Sequence, residues 1–459
     1  MDEAWKKSAP AVCAGLGMFL LALTAVICMG LERGGPVDHA GVAAVLLALA
    51  GISVLLLRLE GCGRDAMLIM LLPVGAAFLI RALCLDYVGT DYTNFLARWY
   101  LFFRENGGFA AVAHAVGDYN VPYLYFMAFI SYLPVSDLYL IKLFSIVFDV
   151  ALAWGCLRLV RCLRERDAAD PAPLIAFAAA FLLPTVVLNG AYWGQCDAIY
   201  GALAIHAVAL LLDGKNKTSV ALMGLAFSFK LQAVFVLPLW GVLWLAKKVR
   251  FRELWVFPLT YGIVIIPAVL LGKPLPETLL VYFNQMGEYS WLTLNAPSVF
   301  QLFPYDLSGP SGSGALHDAL SAAGVAAAAA LVLVLLLLGF RLGDRLDRQS
   351  CFAIAVVLAI GVPFLLPHMH ERYFFLADVF TLCWACSDLH RLPPAVMVEA
   401  SSLASYRMYL RLKFNWPFSV GSYYYVMVPE MLVMLAGLVF AVIALTGCLR
   451  GGPSKEEPA

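Results

Sequence analysis

Five groups of polar side chains interrupt an otherwise apolar chain, and their residue types suit work on hydroxyls and phosphates. In LDYVGTDYTNF, residues 85–95, the acids are Asp86 and Asp91. A carboxylate held at an apolar boundary binds protons more tightly than one in water, which fits it to take a proton from an attacking hydroxyl. A solvated loop acid is the plainer reading, and it suits Asp86 better than Asp91. GDYNVPYLYF, residues 117–126, offers Asp118, Asn120 and Tyr123, the acid, amide and phenol that a sugar-binding surface uses. Pro122 equally predicts a helix start there, capped by Asp118 or Asn120. NGAYWGQCDAIYG, residues 189–201, packs Tyr192, Trp193, Gln195 and Asp197 into a short connection between two apolar runs. Trp and Tyr often only anchor a membrane boundary, but Gln195 and Asp197 border the following span, where polar groups are costly.

The fourth group is LPHMHERYFF, residues 366–375, with His368, His370, Glu371, Arg372 and Tyr373. Two imidazoles are too few for a metal site, so a divalent metal stays unassigned. A permanently charged Arg beside imidazoles is better suited to gripping a phosphate. On a helix His368, Glu371 and Arg372 would be neighbours at three- and four-residue spacing; the plainer reading is an interfacial Arg paired with Glu371. The fifth is Lys230, in FKLQ at 229–232. At membrane depth its ammonium needs an anion, either a protein carboxylate or a lipid phosphate. An acid on the outer face, cations at membrane depth, and amides and rings between them suit transfer of a sugar from a lipid-linked phosphate to a hydroxyl. No Gly-rich nucleotide loop accompanies them, as expected for a donor carried by lipid.

The elements that must position these groups are membrane spans. The 459 residues are 62% hydrophobic and 14% charged, whereas a soluble domain carries about 25% charged residues. The net charge of zero gives no reason to expect a nucleic-acid partner. The eleven cysteines read as small membrane-core residues. Apolar runs predict spans at 9–30, 42–58, 66–84, 137–160, 172–190, 197–212, 254–271, 318–340, 351–367, 373–388, 393–406 and 424–447, the last but one the weakest. The expectation is an all-α polytopic membrane protein with about 12–14 transmembrane or re-entrant helices, because only helices or closed barrels satisfy their backbone in lipid. Lys and Arg in the short loops place the N-terminus in the cytoplasm and the first four polar groups' loops outside. Four regions follow: a three-span segment (1–84), an external loop with interfacial helices (85–136), a transmembrane core (137–390), and C-terminal spans with a solvated tail (391–459). The run 218–246, flanked by positive clusters, predicts a hairpin of two short helices with FKLQ at its tip, and the Gly- and Pro-rich loop 272–317 could act as a lid.

WGQCDAIYGAL, FSFKLQAVFVLPL and PHMHERYFFLADV, with TDYTNF and DYNVPYLY, resemble the bacterial relatives of the GPI-anchor second mannosyltransferase, in the GT-C glycosyltransferase superfamily. The resemblance spans roughly 80–385. It implies a polyprenyl- or dolichyl-phosphate sugar donor, often mannose, an inverting transfer on the extracytoplasmic face, and a bacterial plasma-membrane location. A catalytic aspartate in the first large external loop corresponds to Asp91. Arg372, His368, His370 and Lys230 would bind the donor phosphate, and Asp118, Asn120, Tyr123, Trp193, Gln195, Asp197, Glu371 and Tyr373 the substrates. The acceptor would be a glycan, lipid or protein hydroxyl. Three spans precede the loop where relatives have one, and the motif usually read DYNYPP is DYNVPY here. A lipid or solute transporter is the alternative, favoured by a lysine at a hairpin tip and opposed by the lack of an internal repeat.

Overall fold

A computed structural model describes residues 3–114, 116–164, 170–285, 290–304, 314–410, 418–421 and 423–451. The expected tail after 451, and residues 286–289 and 305–313 of the expected lid loop, lie outside the described residues. The chain forms two compact units, one of Met1–His206, Ser228–Lys230 and Gly262–Val281, the other of Ala207–Phe227, Leu231–Tyr261 and Tyr282–Ala459.

The protein is all-α and polytopic. Among the described residues, eight helices are long and apolar enough to cross a membrane, and four shorter apolar helices accompany them. The expected span 172–190 is a bent pair instead: α7 in our numbering, Ala172–Leu182, meets the segment Pro184–Trp193 at 44°. Pro184 has no N–H and its ring disfavours a helical Leu183, so the ladder breaks there. Leu392–Tyr409 is helical but is not among the eight.

In the first unit, α1 (Glu3–Met29), α2 (Pro36–Leu59) and α3 (Arg64–Cys84) pack together. Small residues let α1 and α3 meet backbone to backbone: a Cβ on Gly75 would lie 2.5 Å from the Gly17 carbonyl oxygen. A widened, π-helical turn, Tyr92–Leu96, leads into α4 (Ala97–Glu105). Helix α5 (Val121–Ile130) opens as Pro122 predicts, capped by Asn120, whose side-chain oxygen accepts from the Val121 N–H at 2.8 Å. Helix α6 (Asp137–Leu163) is the unit's buried centre, 67% buried along its apolar window. After α7, helix α8 (Pro184–Val187) runs into a second π-helical turn, Leu188–Trp193. Helix α9 (Asp197–Leu212) follows, in this unit as far as His206, and α10 (Asn216–Phe229), of the second unit as far as Phe227, ends immediately before Lys230. Lys230 thus stands at a helix break, as expected of FKLQ.

In the second unit, Arg348–Leu365 is the buried helix, with Ala315–Leu342, Phe375–Ser387 and Val428–Gly451 packed on it. Two-residue strands pair Thr293–Leu294 with Met369–His370 in parallel.

Candidate functional site

Most of the polar groups singled out above meet in the first unit. Helix α3 ends at Cys84, and the chain passes buried Gly89, beside the Trp193 ring, to Asp91 at the head of the first π-helical turn. The second π-helical turn ends at Gly194, whose φ of +83° reverses the chain and turns Gln195 toward the acid. One carboxylate oxygen of Asp91 accepts two bonds, from the Trp193 indole N–H at 3.1 Å and the Gln195 amide at 2.5 Å. The Tyr119 hydroxyl donates to the Gln195 carbonyl oxygen at 3.3 Å, which fixes that amide's orientation. These two donors come from one turn of chain, so the position of that carboxylate oxygen follows the geometry of residues 193–195.

Asp197 and Lys230 lie behind this group. The Lys230 ammonium is 2.5 Å from one Asp197 oxygen, and the Asn189 amide donates to the other at 2.7 Å. Asp197 is fully buried and Lys230 is 4% exposed. Of the two anions expected for Lys230, the protein supplies the carboxylate. The ammonium also stands 5.7 Å from the Tyr119 ring centre, a cation–π contact that ties the ion pair to the Gln195 support.

The remaining predicted residues of this unit are Tyr123, Asn120 and Asp118. Tyr123 is buried with its ring edge-on to Tyr119, and Asn120 is buried as the α5 cap. Asp118 is exposed, and the protein mass beneath it raises its carboxyl above the ordinary range. Its neighbour Gly117, at φ +63°, packs so closely on Trp99 that a Cβ would fall 2.4 Å from the ring. Asp86 is a structural acid, accepting from the Tyr139 hydroxyl at 2.6 Å and the Glu32 N–H at 3.1 Å.

The fourth group belongs to the second unit. The helix on which His368, Glu371 and Arg372 would be neighbours does not form: the preceding helix stops at Leu365, close to the predicted end of that span, and 366–374 run as an extended strand and turn, because Pro367 cannot continue a helix. His368 takes a left-handed φ of 64°. Its Nδ1 donates to the Trp291 carbonyl at 2.7 Å, so Nε2 accepts the Ser321 hydroxyl at 3.2 Å. A phosphate at Nε2 would therefore take the place of that hydroxyl. The ring edges a cleft of about 580 Å³ shared with His317, Asp318 and Ser321. His370 turns elsewhere, 5.2 Å from the Tyr373 ring centre and 3.9 Å from Glu371. Arg372 donates to buried Glu371 at 3.1 Å, with the Tyr373 ring 5.8 Å away. Among the described residues, no three His, Cys, Asp or Glu side chains gather as a metal site.

Three buried groups of the first unit escaped the sequence reading: Lys142, Ser145 and the Arg81–Asp149 pair. The signal was present, since Lys142, Ser145 and Asp149 fall three and four residues apart in a predicted span, where an ionisable residue marks function or structure by default. Ser145 donates to the Gln195 backbone oxygen at 2.6 Å. Arg81, fully buried, bonds Asp149 at 2.8 Å and the Phe181 carbonyl at 2.9 Å, satisfying an acceptor beside the α7–α8 break.

The family model of glycosyltransferase family 87 matches residues 119–366, more than half of the sequence. The chain belongs to glycosyltransferase family 87. It is a membrane glycosyltransferase, and the matched region contains Tyr119, the 189–197 connection and Lys230. No curated protein matches the chain.

Proposed function

We propose that this glycosyltransferase moves a sugar, mannose, from a polyprenyl-phosphate donor to an acceptor hydroxyl on the extracytoplasmic face of a bacterial plasma membrane, with inversion. Asp91 is the general base. It takes the acceptor's proton as the hydroxyl oxygen bonds to the anomeric carbon, and the opposite carbon–oxygen bond breaks to release polyprenyl phosphate. The observation that carries this reading is the Asp91 carboxylate gripped by Trp193 and Gln195, a base oriented by two fixed donors. Arg372 is the cation for the donor phosphate, with His368 and His370 as its neighbours in that set, and Glu371 and Tyr373 hold Arg372 in place. The acceptor, a lipid, glycan or protein hydroxyl, meets Asp118 and the rings of the 119–123 segment. The relation to the GPI-anchor second mannosyltransferase within the GT-C superfamily belongs to this reading and rests on the WGQCD and HMHERY strings.

The test is consumption of radiolabelled polyprenyl-phosphate mannose by purified protein in liposomes. Wild type is expected to release the sugar, and Asp91→Asn to bind the donor without consuming it. An active Asp91→Asn would overturn the role of Asp91, and a wild type that consumes other lipid-linked sugars but not this one would overturn mannose.

A further inference from the structure

Helix α6 presents one polar face to the two segments that make up the Asp91 site. The Lys142 ammonium is fully buried and donates to three backbone carbonyls: Cys84 at 2.8 Å, Leu85 at 2.9 Å and Tyr87 at 2.8 Å. These are the last carbonyl of α3 and the turn leading to Asp91, acceptors left over where a helix ends, and a cation there also meets the negative end of the helix dipole. All three ammonium donors are used, so a charge that would be costly in an apolar interior is fully satisfied.

The same side chain reaches the other segment. A Cβ on Gly194 would touch the Lys142 stem at 3.9 Å, and one helical turn along α6, Ser145 bonds the Gln195 carbonyl. Gly190 approaches so closely that its Cβ would lie 3.2 Å from that of Ser145. One helix face therefore holds both the chain that carries the carboxylate and the turn that carries its two donors.

Resting on the role of Asp91 given above, we infer that Lys142 and Ser145 are positioning residues that set the register between Asp91 and Gln195. Neither contacts the reacting atoms. Both act by keeping the carboxylate within reach of its donors, and a displacement on the order of 1 Å there costs about 10²-fold in rate.

Two readouts test this, one independent of activity. In Lys142→Gln reconstituted in nanodiscs, amide hydrogen exchange across 85–91 is expected to accelerate about tenfold, with the rest of α3 and α6 at wild-type rates. Wild-type exchange across 85–91 would overturn the inference. With polyprenyl-phosphate mannose as donor, Lys142→Gln is expected to lower kcat about 10- to 100-fold while KM stays within about twofold. A second variant guards against a folding defect. Ser145→Ala should slow the wild type more than it slows Gln195→Ala, because a misplaced amide cannot matter once that amide is gone. Multiplying losses in the double variant would mean that α6 serves the fold at large, and the inference falls. If wild type consumes no such donor, the proposed reaction fails on that arm, while the exchange measurement still decides the role of Lys142.

Discussion

Gln195 is the pivot of the first unit's polar group, because its amide faces Asp91 at one end and Tyr119 at the other while its backbone oxygen is held by Ser145. Gln195→Ala should lower kcat by about 10²-fold with donor affinity retained, measured by donor consumption and by equilibrium donor binding. The Lys230–Asp197 pair predicts a different pattern. Lys230→Met leaves Asp197 buried with only part of its partners, at a cost of about 3–5 kcal/mol in stability. Pairing it with Asp197→Leu should recover most of the lost melting temperature, whereas an ammonium acting mainly on the donor phosphate would lose donor affinity without a stability loss. Asp91, Gln195, Asp197 and Lys230 were legible because a polar side chain in an apolar run stands out. Their pairing was not, since Lys230 and Asp197 are 33 positions apart and only the fold closes that distance.

At the scale of elements, what hydropathy sees and what the backbone does part company. Residues 172–190 read as one span because their apolar content is continuous; the break at Leu183–Pro184 is signalled only by the proline, and the two π-helical turns are backbone events that composition does not encode. The α5 start was legible, since Asn before Val-Pro is a cap with a mechanism. So was the break at Lys230. The stop before 368–372 was legible as well, in Pro367 and in the end of the apolar run there. The 117–120 turn gives a pH prediction. The raised carboxyl of Asp118 means that the folded state favours its protonated form. That contribution is fully present below the unfolded value of about 3.9 and is lost as pH rises through the higher folded value. Asp118→Asn should therefore melt less differently from pH 4 to pH 6 than wild type does, and equal slopes in thermal melts would remove Asp118 from the account.

For the whole molecule, the all-α polytopic class followed from composition, because a chain with so few charges must place its backbone in helices to satisfy it in lipid. The proposed orientation puts the turn between α2 and α3 in the cytoplasm. Cys62 in that turn is half-buried, and burial pushes its thiol up, so its thiolate fraction grows with pH. An impermeant maleimide should modify Cys62 in inside-out vesicles, faster at pH 9 than at pH 7, and spare it in right-side-out ones. The Arg81–Asp149 pair also bears on how the protein is made. The two residues are 68 positions apart, so α3 leaves the ribosome well before its partner charge exists. Arg81 is three residues from the end of α3 and long enough to reach the headgroups while it waits. Asp149 is short and twelve residues into α6, about 18 Å along that helix, with no such refuge. Insertion of α6 is therefore favoured by an α3 already standing beside it, whose Arg81 offers Asp149 its partner.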